Sequence, residues 1–151
     1  ALPILKPRFH RGELMKSTKE LMAMLDKDPE KFKEQLEREG DKPVFSEYLT
    51  HLMDETGCSG MDLMNHAVIS KTYYYQLRSG ERLPGRNTAI RIALQLSLSV
   101  DETQRLLTIA EKNVLYPKVR RDAAILWCIK KKMSFYETEN YLEQIGEESL
   151  L

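Results

Sequence analysis

The chain has 151 residues, 42% of them hydrophobic, with 23 basic and 23 acidic side chains and a net formal charge of zero. That length makes one domain, or a small domain with an extension, and can bury a core without metal or disulfides. The zero balance argues against tight nonspecific nucleic-acid binding by the whole molecule, and no run of about 18 apolar residues exists to span a membrane. No apolar leader with a cleavage site opens the chain, so a cytoplasmic protein without membrane association is expected. Cys58 and Cys128 suit a reducing compartment and two buried thiols; a disulfide between them is the alternative.

Pro3 and Pro7 predict an extended start. Ser17-Thr-Lys-Glu20 has capping-box spacing, so a helix is expected there, with Leu14, Leu21, Met24 and Leu25 on its stripe. Asp28 can cap the next helix, Pro29 suits its first turn, and Phe32 and Leu36 are its main apolar contacts before a stop at Gly40. Asp41-Lys-Pro43 reads as a joint. Residues 1–42 are therefore an N-terminal helical extension, sparsely apolar, which must dock on the remainder or on a second subunit to be stable.

The signal strengthens from Val44. Phe45, Tyr48, Leu49, Leu52 and Met53 recur at helical core spacing and end at Gly57. Ser59 and Asp62 cap a short helix. Leu63, Ala67, Ile69, Tyr74 and Leu77 are then the apolar positions of two short helices joined by a tight turn, with Ser70 as N-cap of the second and Gly80 as its C-terminal stop. A loop containing Pro84 follows, then a helix with Ile90, Ala93, Leu94 and Leu96. Ser99-Val-Asp-Glu102 opens another, with Leu106, Leu107, Ile109 and Ala110. Residues 43–112 form the main domain of this reading. Beyond Pro117, Ala123, Ala124, Ile125, Trp127 and Ile129 mark one helix; Ser134 and Glu137 cap a second, with Tyr141, Leu142 and Ile145 facing inward. Residues 113–151 are thus a C-terminal helix pair packing on the main domain. No β-alternation or repeat appears, and the expected fold class is all-α.

Charge is unevenly placed. From Ser59 to Arg91 five cations face two anions; from Lys118 to Lys132 six face one; from Ser134 onward there are only five glutamates. Lys130-Lys-Lys132 reads first as a helix C-terminus favoured by the macrodipole. Arg120 and Arg121 open a helix, where the dipole disfavours them, so pairing with acidic side chains or with a partner is expected.

Residues from about Phe45 to Leu107 resemble the phage-repressor-like (Xre-type) helix-turn-helix domain, a five-helix bundle. Leu63, Ile69, Ser70, Tyr74, Leu77, Gly80, Pro84, Ala93 and Leu96 match its pattern in register. The wider chain is similar to a clostridial-type group carrying Tyr73-Tyr-Tyr75-Gln76, Asp101 to Leu107 and Leu115 to Asp122 in comparable form, a group associated loosely with serine/threonine kinases encoded nearby. The resemblance implies a bacterial, sequence-specific DNA-binding transcriptional regulator that reads the major groove of double-stranded DNA with the helix 70–79, as a homodimer. Two positions depart from the pattern: Val68 stands where the family usually has a turn glycine, and Gly60 where many members place a phosphate-contacting glutamine.

By register, Lys71, Thr72, Tyr75 and Gln76 are the base-contacting candidates; lysine can read guanine and glutamine adenine. Ser59, Gly60, Tyr73, Arg78, Arg82 and Arg86 are the phosphate-contacting candidates. The alternative function is a non-enzymatic protein-interaction module that keeps this fold, with a kinase as one conceivable partner. Consecutive helix positions point about 100° apart, so Tyr73, Tyr74 and Tyr75 are not all core, and exposed tyrosines suit protein interfaces and DNA alike. His10, His51 and His66 lack companions at metal spacing, and no catalytic set or phosphate loop stands out. No catalytic residue, metal or cofactor is therefore expected.

Overall fold

The computed structural model describes residues 18–38 and 44–151. The described residues are all-helical and divide into two compact units at Pro43/Val44. The expected extension at Pro3 and Pro7, the contribution of Leu14, the Ser17 cap, the Gly40 stop and the 41–43 joint lie outside the described residues.

In the first unit, α1 (Thr18–Lys27) packs on α2 (Pro29–Arg38). The Asp28 carboxylate accepts from the Lys31 N–H at 3.1 Å and starts α2. The contact stripe of α2 differs from the expected one. Gln35 is buried, whereas Leu36 is 65% exposed. The stripe follows the i, i+3 spacing of Phe32 and Gln35, which turns Leu36 about 100° away.

The second unit holds α3 (Phe45–Thr56), α4 (Gly60–His66), α5 (Lys71–Ser79), α6 (Arg86–Gln95), α7 (Val100–Ile109), α8 (Arg120–Lys130) and α9 (Phe135–Gln144). Each of Ser59, Ser99 and Ser134 completes a reciprocal capping box with the acid three residues on, which satisfies two orphan donors per helix start. Helix α6 is the hub: Thr88 to Leu94 are all buried, and it meets α4, α7 and α9. Ala89, Ile90 and Leu94 share one core with Leu107, Leu115, Ile125, Ile129, Phe135, Leu142 and Leu150. The C-terminal pair therefore closes the same core as the central helices. Gln104 fixes the intervening loop by bonding both backbone groups of Leu115 at 2.7 Å. Trp127 is not a core residue. It is 44% exposed and lies against the half-buried Tyr141, ring centroids 4.9 Å apart.

The arginines that open α8 hold the chain beyond α9. Arg120 pairs with Glu147 at 2.8 Å and donates to the Ile145 carbonyl, while Arg121 donates to the carbonyls of Glu148 and Ser149. Glu139 accepts from the Ser149 hydroxyl and the Leu150 N–H at 2.5 and 2.6 Å. Arg91, buried in α6, donates to the Ala67 carbonyl at 2.8 Å, to Thr88 Oγ1 at 3.2 Å and to the Leu150 carbonyl. Lys132 reaches the Ser97 carbonyl at 2.8 Å. Among the described residues no helix is long and apolar enough to cross a membrane.

Candidate nucleic-acid interface

Helices α4 and α5 are joined by a turn over residues 67–70. Leu63, Ala67, Ile69, Tyr74 and Leu77 are all buried, so these side chains seat the pair on the core. Val68 holds φ 54° and exposes 45% of its surface. The Ile69 N–H then reaches back to the Met64 carbonyl at 3.0 Å, closing the end of α4 as a left-handed cap. The strain of a β-branched residue is accepted because the turn itself demands that backbone. Ser70 Oγ accepts from the Tyr73 N–H at 3.2 Å, and Gly80, φ 84°, ends α5.

Gly60 is explained by close approach. A Cβ there would fall 2.4 Å from the Tyr74 hydroxyl and 2.7 Å from its ring carbon Cζ. Tyr74, buried, occupies the space a glutamine would need, and its hydroxyl accepts from Arg78 Nη1 at 2.6 Å. The same Arg78 nitrogen lies 3.6 Å from Met53 Sδ. Ser59 directs its hydroxyl and its N–H at Asp62, so its side chain is committed to the cap.

The outer face of α5 carries Lys71, Thr72 and Tyr75, all exposed, the last by 56%. Gln76 is half-buried, and its Oε1 accepts from Arg82 Nη1 at 3.4 Å. The Arg82 guanidinium stacks 4.9 Å from the Tyr73 ring centroid, and the Tyr73 hydroxyl accepts from the Gly85 N–H at 3.0 Å. Tyr73 and Gln76 of α5 and Arg82 of the loop beyond it are thus one connected group, a grouping the sequence pattern did not reveal.

Arg86 differs most from its expected phosphate role. Its Nη1 and Nη2 clasp the Asp122 carboxylate at 3.1 and 2.9 Å, while Nε and Nη2 donate to the Asn113 and Val114 carbonyls. Burial by itself would raise the Asp122 pKa. The hydrogen bond from Arg86, the Tyr116 N–H and the charges of Arg86 and Arg121 outweigh it and hold the carboxyl below its ordinary value. Arg91 is also turned inward. Of the five cations between Ser59 and Arg91, only Lys71 and Arg82 are exposed.

Both cysteines are free thiols, Cys128 buried and Cys58 half-buried, and burial raises the pKa of each. Among the described residues no group of three His, Cys, Asp or Glu side chains is placed to hold a metal ion. Comparison with protein-family models, with curated proteins and with solved structures gave no match to this chain.

Proposed function

We propose that this chain is a sequence-specific DNA-binding transcriptional regulator of the phage-repressor-like helix-turn-helix class, reading the major groove with α5. The observation that carries the reading is the outer face of α5. It presents Lys71, Thr72 and Tyr75 to solvent, is fixed at both ends by a serine cap and a glycine stop, and has Gln76 and Arg82 joined beside it. A short exposed helix on such a turn has the dimensions of a major-groove reader. The class pairs two copies on a palindromic site, and the half-exposed Trp127–Tyr141 pair of α8 and α9 offers a surface for that pairing.

The test is binding of the chain to random and to genomic duplexes by fluorescence anisotropy at two salt concentrations. Binding that weakens steeply with salt, is tighter on a genomic subset and is lost in Lys71→Glu supports the reading. Equal, undetectable binding to both pools removes it.

A second reading has its own observation. Arg78, Arg86 and Arg91 bond within the fold, while Tyr75 is largely exposed. A protein-interaction module, with a kinase among its conceivable partners, would use that tyrosine as an anchor. Capture of a protein that is lost in Tyr75→Ala and kept in Lys71→Glu favours it.

A further inference from the structure

We propose that Arg82 and Gln76 act as one guanine-reading unit, Arg82 holding the Gln76 side chain so that hydrogen-bond donors predominate at the base edge. The inference rests on the DNA reading above. It replaces the separate expectations of an adenine-reading Gln76 and a phosphate-contacting Arg82.

Arg82 is held at its backbone once and at its side chain twice. Its backbone N–H donates to the Gln76 carbonyl at 3.2 Å. Its guanidinium lies over the Tyr73 ring, and that ring is pinned through its hydroxyl by the Gly85 N–H. Its Nη1 donates to Gln76 Oε1, a long bond that the stacking keeps in register. Stacking of this kind orients a guanidinium without using its donors.

The consequence lies in which atoms remain. A glutamine reads adenine by donating to N7 and accepting from the N6 amino group, which needs its oxygen. Here one of the oxygen's two lone pairs already accepts from Arg82, which ties the direction of the amide to the guanidinium. What is left is that oxygen's second lone pair against the Gln76 Nε2 amide, the remaining Arg82 N–H groups and, nearer the start of α5, the Lys71 ammonium, so donors outnumber acceptors. Helix α5 contains no acidic residue, and Glu81 lies beyond its glycine stop. The hydroxyls of Thr72 and Tyr75 donate or accept and do not discriminate. Guanine alone presents two adjacent acceptors, O6 and N7, in the major groove. Adenine N6 and cytosine N4 would meet a face made mostly of donors.

The experiment is selection from duplexes with a randomised core, using the full chain and Arg82→Ala. Arg82 is exposed, and circular dichroism checks that the variant keeps its helix content. The wild type should enrich a guanine at a position whose 7-deazaguanine analogue, lacking N7, binds about 10-fold or more weakly. Inosine, which keeps O6 and N7, should bind as guanine does. Arg82→Ala releases Gln76 Oε1 and should move that position toward adenine. Enrichment of adenine by the wild type overturns the coupling. So does an Arg82→Ala variant that weakens on every duplex alike with its motif unchanged, since Arg82 is then a phosphate contact. A chain that binds no duplex at low salt overturns the DNA reading itself, and the coupling with it.

Discussion

Arg86 and Asp122 face each other as two parallel hydrogen bonds across 36 positions of sequence, joining the first turn of α6 to the first turn of α8. The carboxylate side chain is only 7% exposed and the guanidinium 27%. Arg86 therefore fastens the C-terminal helices to the hub of the fold.

Asp122→Asn leaves the guanidinium facing a neutral amide in a largely dry place, and should lower stability by about 3 kcal/mol at neutral pH. The folded-state pKa of Asp122 lies below its unfolded value, so its contribution is complete above about pH 4 and drains away as pH falls through the folded value. Urea unfolding of both proteins across pH 2 to 7 should show two midpoints far apart at neutral pH and converging in acid. A gap that stays constant with pH would show that the pair does not titrate as described.

Gly60→Ala should destabilise by about 1–3 kcal/mol, the usual cost of forcing a group into a packed site. The added methyl meets the Tyr74 hydroxyl and ring and must break the Arg78 contact. Thermal unfolding measures it; an unchanged melting temperature would mean that Tyr74 moves aside without loss.

Val68→Gly should act in the opposite direction. Removing the left-handed strain of a β-branched residue recovers about 1–2 kcal/mol, and the extra freedom of the unfolded glycine chain takes back about half of it. A net gain near 0.5–1 kcal/mol in urea midpoint is expected. A loss would show that the half-exposed Val68 side chain makes contacts worth more than the strain.

A fragment of residues 44–151 should fold alone, because it is a compact unit with its own core. Circular dichroism should give a helical spectrum and a cooperative melt. A disordered fragment would make residues 1–43 part of one indivisible structure.

Local chemistry was legible in the sequence, and pairings between distant side chains were not. Ser59, Ser70, Ser99 and Ser134 could be read as caps because a cap needs only a side chain and the N–H three residues on. The buried set from Leu63 to Leu77 followed from spacing alone. Left-handed turns at Ser97, Glu111 and Lys132 carried no glycine to announce them, and only Val68 stood out, against a family pattern. The roles of Arg86 and Arg91 were hidden because, Thr88 apart, their partners lie 24 or more residues away. An arginine that faces phosphate and one that fastens a core look alike in a charge count. Leu36 was read as inward because hydrophobicity marks what a helix offers to bury, while the neighbouring helix decides which of it is covered.

Arg91 sets an order of assembly. Its guanidinium leaves water only when acceptors 24 residues behind it and 59 ahead are in place, since an unpaired buried cation is too costly to precede its partners. The turn that aims α5 is thus completed by a segment that leaves the ribosome well after α5 itself. Nascent chains halted before Leu150 should keep residues 60–79 open to protease, and full closure should arrive in one late step.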